Sequence, residues 1–182
     1  LNADSELKYP VRFVGGKREV YLKGEGYFQV SKDSCRQFIV HLQNSEITVL
    51  GTAFNVSAYE DEAHVYTTLE EGRVAFYSRQ NKQRILLKPG MQSDMEVATG
   101  KTVVSEVDPS LYSAWIEGRF VFQSLDLESI LRQLQRWYDF EVFFQQQEVK
   151  NYRFRGVLSR DMDIRQALDI IEETTDLKFD IK

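Results

Sequence analysis

Cysteine, histidine and long apolar runs are scarce in this chain, and each shortage closes off a class of protein. Cys35 is the single cysteine, so no internal disulfide can form, and a lone thiol suits the cytosol and the periplasm equally. His41 and His64 are the only histidines. Both lie in strand-like runs, and neither stands beside a cysteine or a second acid at catalytic or metal-ligand spacing. No stretch approaches the ~18 apolar residues of a membrane-spanning helix. Basic residues are outnumbered, 23 Lys and Arg against 28 Asp and Glu for a net charge of −5, the opposite of a nucleic-acid-binding face. Neither an initiator Met nor a signal peptide opens the chain. It begins Leu1-Asn2-Ala3, which reads as a piece of something longer.

What remains is an ordinary globular composition, 42% hydrophobic and 28% charged over 182 residues, enough for one large domain or two small ones. From Val11 to about Val107 the apolar residues recur every second position: Phe38, Val40 and Leu42, then Phe54, Val56 and Ala58, then Val74 and Phe76, then Ile85 and Leu87. That period belongs to half-buried strands. Turn signals punctuate it where hairpins would turn, at Gly15-Gly16 (between strands at 11–14 and 20–22), Asn44-Ser45, Pro89-Gly90 and Thr99-Gly100. Residues 1–110 therefore read as an all-β domain, either a sandwich or a coiled β-stack. Within it, residues 49–58 read as a strand forced to kink at Gly51, where no Cβ is tolerated.

After Asp108-Pro109-Ser110 the period changes to that of a helix. Leu127, Ile130, Leu131, Leu134 and Tyr138 share one helical face, as do Ile164, Ala167, Leu168 and Ile171. A shift of 37 superposes Leu127 on Ile164, Ile130 on Ala167, Leu131 on Leu168, Leu134 on Ile171 and Asp139 on Asp176. Asp163 and Gln166 form the signature of a capping box. Strand-like runs at 119–122 and 152–157 precede the two helices, and others at 140–144 and 177–181 follow them. Residues 111–182 thus read as a duplicated β-α-β domain, two helices on one small sheet, and the whole chain as α+β.

Candidates for chemistry are few. Glu60-Asp61-Glu62 and Glu70-Glu71 read as solvated acids, and Asp161-Met162-Asp163 does not continue into a calcium loop. Gly24-Glu25-Gly26 is followed by strand-like residues rather than a helix N-terminus, so it lacks the amides that hold phosphate and reads as a bulge or close-packing site. No catalytic, metal or cofactor site is expected, and the chain reads as no enzyme. The aromatic and basic candidates suit a protein partner instead. Tyr152, Arg153, Phe154 and Arg155 alternate along one expected strand, and Trp137 and Ile170 lie at the margins of the two apolar stripes. An open edge at that strand, or at the one ending the chain, would let a partner add a strand by β-augmentation. The blander reading is that Phe154 packs inward and the arginines keep an edge soluble.

Several motifs in a fixed order resemble one family, the periplasmic region of FecR-type anti-sigma regulators. They are Leu1-Asn2-Ala3 with Tyr9-Pro10, Gly24-Glu25-Gly26-Tyr27-Phe28-Gln29-Val30, Phe38-Ile39-Val40, Gly51-Thr52-Ala53-Phe54-Asn55-Val56, Leu69-Glu70-Glu71-Gly72-Arg73-Val74 and Leu87-Lys88-Pro89-Gly90. Gly26 stands where the family more often has Ala. The second half resembles both the small domain that follows the FecR domain and the short N-terminal domain of secretins and signalling TonB-dependent transporters. It does so through Trp115, Gly118, Phe120-Val121-Phe122, the Leu127 to Leu134 helix and Arg136-Trp137-Tyr138-Asp139. The resemblance implies a periplasmic sensor anchored in the inner membrane by an upstream helix outside these residues. Its partners would be the signalling domain of a TonB-dependent transporter and, through a cytoplasmic segment also outside them, an extracytoplasmic-function sigma factor. A structural module of a secretin-like envelope complex is the alternative.

Overall fold

In the computed structural model, which describes residues 1–180, the period-two half of the chain becomes ten strands. They are β1 (Glu6–Lys8), β2 (Lys17–Val30), β3 (Gln37–His41), β4 (Ser45–Val49), β5 (Thr52–Ala58), β6 (His64–Glu71), β7 (Val74–Ser78), β8 (Arg84–Leu87), β9 (Met91–Glu96) and β10 (Thr102–Glu106). All belong to one curled sheet ordered β10-β9-β6-β5-β2-β3-β4-β7-β8, with β1 paired to β2. The expected choice between a sandwich and a coiled stack resolves into this single curled sheet. These strands belong to the first of two compact units, Leu1–Ser113 and Ala114–Lys182.

Three corners produce the curl. Strand β2 runs parallel to β3 over residues 17–21 and antiparallel to β5 over 24–30. The change of neighbours falls at Gly24, whose φ is +81° and where a Cβ would lie 2.8 Å from the Asp4 carbonyl oxygen. The other two corners sit side by side. Strand β4 pairs with β3 and β7, whereas β5 pairs with β2 and β6. Leu50-Gly51 links β4 to β5, and Gly72-Arg73 links β6 to β7. The single kinked strand expected at Gly51 is therefore corrected to two strands with different neighbours, joined at a corner. A Cβ on Gly51 would fall 2.6 Å from Lys32 Cα, and one on Gly72 (φ +92°) 2.6 Å from the Gly51 carbonyl oxygen. The Thr52 hydroxyl donates to the Arg73 carbonyl across the same corner, 3.0 Å. The two glycine motifs are thus one packing feature.

The inward positions of this sheet, among them Val20, Val40, Ile47, Phe54, Leu69, Val74 and Phe76, are buried in one core. Two expectations fail. Residues 11–14 form no strand: β1, upstream of them, takes the available partners at Tyr21 to Lys23, and a strand without a neighbour leaves its backbone unpaired. Pro89-Gly90 turns the chain without making a hairpin, because β8 pairs with β7 while β9 pairs with β6 and β10.

Past the short helix α1 (Ser110–Ser113), the second unit contains β11 (Arg119–Asp126), α2 (Leu127–Gln135), β12 (Arg153–Ser159) and α3 (Ile164–Glu173). The two strands pair antiparallel, Arg119 opposite Ser159 and Asp126 opposite Arg153, with a bulge between Phe122 and Leu125. Helix α2 buries Leu127, Ile130, Leu131 and Leu134, and α3 buries Ala167, Leu168 and Ile171, in one core with Phe120, Phe122 and Leu158. The 37-residue offset extends to the caps. Asp126 accepts from the Ser129 amide at 2.8 Å, and Asp163 from the Gln166 amide at 2.9 Å, with the full capping box around Asp163.

The strands expected after each helix are corrected. Among the described residues, 140–144 and 177–180 carry no ladder, and Ile181 lies outside the described residues. Their alternation is real: Phe140, Val142, Phe144, Leu177 and Phe179 pack on the core, while Glu141, Phe143 and Lys178 are exposed. Alternation reports which side is buried, whereas a strand also needs a neighbour for its backbone. Here the Phe140 carbonyl accepts from the Gln135 side chain at 3.1 Å, and the Phe179 amide donates to the Glu172 carboxylate at 2.5 Å.

Candidate partner-binding site

Strand β12 begins with three of the residues singled out from sequence, Arg153 to Arg155, and Tyr152 immediately precedes it. The Tyr152 carbonyl accepts from the Leu127 amide at 2.9 Å, and the residue is half exposed. Arg153 donates from Nη1 to the Ser124 carbonyl at 2.7 Å. Ser124 is the bulge residue, with φ +55°, so Arg153 braces a strained backbone as well as carrying charge. Phe154 turns inward onto the core. Arg155 is exposed, and the strand continues outward through Val157, 57% exposed. Strand β12 pairs with β11 along one side and, among the described residues, with no strand along the other.

The two helix candidates sit elsewhere. Trp137 packs edge-on against Phe120, centroids 5.9 Å apart, with the Arg160 guanidinium 4.6 Å above its ring. Phe120 faces Leu158 near one end of the ladder, and Arg153 faces Asp126 at the other. Six residue steps separate Arg153 from Ser159, roughly 20 Å of strand, so Trp137 and Tyr152 mark opposite ends. Ile170 lies on α3, 37% exposed at the edge of its buried face. The structure therefore lines up residues 153–155 along one strand, with Tyr152 just before it, and does not gather all six into one patch. It also adds a pair that the sequence reading passed over, Val121 directly opposite Val157 on the face away from the helices. The period-two signal could have found Val157 had it been followed through Gly156.

Electrostatics at this end of the unit centre on the caps. Burial alone would raise Asp126. The Ser129 amide and hydroxyl, its own amide and the Arg153 charge outweigh that and hold its carboxyl below the usual range. Glu172 is likewise lowered, first by the Phe179 amide and then by Lys178. A lowered folded value means that each carboxylate stabilises the fold above its unfolded pKa and that this contribution is lost as pH falls through the folded one. Stability of the second unit is therefore expected to drop below about pH 4. Asp126→Asn, which keeps a capping acceptor but cannot titrate, should flatten part of that acid limb in melts followed from pH 7 to pH 2.

Among the described residues no three His, Cys, Asp or Glu side chains are grouped to hold a metal. His41 stacks on Tyr21 at 4.8 Å, and His64 Nδ1 lies 2.5 Å from an Asp94 oxygen. Tyr27 and Tyr66 are both pushed up to about 12, first by burial and then by neighbouring acids, so neither supplies a phenolate at neutral pH.

Two family models match the chain, one described as FecR protein over residues 1–75 and one as FecR, C-terminal over residues 119–182. The chain belongs to the FecR family. Among solved structures, a "putative anti-sigma factor" from Parabacteroides distasonis ATCC 8503, at 1.65 Å resolution, is similar with a TM-score of 0.90 and 25% identity, over 100% of this chain and 84% of that one. A second crystal structure under the same description, at 2.50 Å, gives a TM-score of 0.85 and 24% identity over the same shares. No curated protein matches. Family membership and the anti-sigma description of the first of these neighbours support an anti-sigma regulator. Among its described residues no helix is long and apolar enough to cross a membrane.

Proposed function

We propose that this chain is the periplasmic sensor of a membrane-anchored FecR-type regulator. Residues 1–110 are the scaffold, and residues 111–182 receive the signalling domain of a TonB-dependent outer-membrane transporter. The regulator then controls an extracytoplasmic-function sigma factor through a cytoplasmic segment outside these residues. The observation that carries the reading is the open edge of β12, with Arg155 and Val157 facing outward beside it. An incoming strand draws affinity from backbone bonds along such an edge and specificity from the alternate side chains. Binding transmits a signal only if it favours one arrangement of the regulator over another, so the coupling is a difference in affinity between two states.

Arg155 is the cleaner test position, because Arg153 also braces the Ser124 bulge. Arg155→Glu is expected to weaken binding of the isolated signalling domain about tenfold, with the melting temperature unchanged. Unaltered affinity, or a loss of affinity matched by a loss of stability, would remove β12 as the docking edge.

A further inference from the structure

The first unit carries a loop that its own core does not use. Residues 9–16 link β1 to β2, and three apolar side chains there stand in solvent: Tyr9 at 68% exposure, Val11 at 102% and Val14 at 87%. Single exposed apolar residues are ordinary, but three within six residues on one loop form a feature. Phe13 behaves differently. It packs on the core and meets Phe38 edge-on at 6.4 Å, so the loop is pinned at its centre while its apolar flanks project. Gly15 and Gly16 have nothing within 4 Å of where a Cβ would stand.

Charge adds a second, independent observation. Between Glu6 and Glu19 lie Lys8, Arg12, Lys17 and Arg18 and no acid, in a chain whose net charge is −5. Arg18 is used internally, donating to the Ser31 and Arg36 carbonyls. Among the described residues Lys8 and Lys17 make only exposed pairs, 3.2 Å to Glu6 and 4.0 Å to Glu19, which are weak in water. Arg12 has no ion pair among the described residues, and it lines an open groove with Pro10, Val14, Lys17 and, at its far end in sequence, Glu19, which is already paired with Lys17.

We propose that this loop is a membrane-surface contact. Val11 and Val14 enter the boundary between headgroups and acyl chains of an anionic bilayer, while Arg12, Lys8 and Lys17 meet lipid phosphates. A projecting apolar loop with basic flanks suits a soft, uniformly anionic surface, because insertion buries the valines and leaves the cations at headgroup depth. The contact is weak by itself, as one short apolar segment is, and acts by orienting a protein held near the bilayer by other means.

The test is flotation of the purified chain with vesicles of phosphatidylcholine alone and of phosphatidylcholine with 40% phosphatidylglycerol. The chain is expected to float with the anionic vesicles only, less so as salt rises. Arg12→Glu and the double variant Val11→Ser/Val14→Ser should each lower the bound fraction about fivefold with unchanged melting temperature. Equal recovery with both lipids, or variants that float like the parent, would overturn the proposal. So would failure on vesicles combined with binding of an acidic polypeptide to the same loop.

Discussion

Gly72→Ala is expected to lower stability by about 3 kcal/mol, read as a fall in the urea midpoint at constant slope. Two costs combine. A φ of +92° is unfavourable for any residue with a Cβ, by roughly 1–2 kcal/mol. The added methyl would also meet the Gly51 carbonyl oxygen at 2.6 Å and Thr52 Cα at 3.1 Å. Those are backbone atoms, so relief means moving the corner where β4 passes into β5. Because β6 passes into β7 at the same place, both crossings shift together. An alanine variant as stable as the parent would show that the corner yields.

Leu134→Ala is expected to cost about 2–5 kcal/mol in the second unit. Leu134 is fully buried in the core that α2 and α3 share with β11 and β12. Its carbonyl also accepts the amides of Trp137 and Tyr138, each at 2.9 Å. Both tryptophans of the chain, Trp115 and Trp137, lie in this unit. Tryptophan emission therefore reports its unfolding, and the variant should shift that transition strongly. A change under 1 kcal/mol would mean that the helix repacks over the gap.

Alternation recovered much of the first unit, β3, β5, β7 and β8 among them, because one side of each faces a core and the other does not, though it also suggested a strand at 11–14 that does not form. The 37-residue repeat likewise revealed both helices and the Asp163 cap, while the matching cap at Asp126 emerged only in the structure. What stayed hidden was pairing. Nothing in residues 49–58 distinguishes a kinked strand from two strands joined at a corner, since both need a glycine at position 51. Residues 140–144 alternate as a strand would, yet a side-chain amide from Gln135 meets the Phe140 carbonyl instead of a neighbouring strand. The site was legible in the same partial way. Arg153 to Arg155 fell on one strand as expected, with Tyr152 just outside it, but Trp137 belongs to the opposite end of the ladder, where it covers Phe120 beneath Arg160.

The corner glycines hold the scaffold, and the open edge of β12 is the docking edge we propose for a partner strand. Calorimetric titration of this chain with the isolated signalling domain of a transporter encoded beside it tests that division most directly. The proposal predicts a one-to-one complex with measurable heat, weakened about tenfold on Arg155→Glu and unchanged on Arg12→Glu. Absence of heat and of any complex at high micromolar concentration would contradict it.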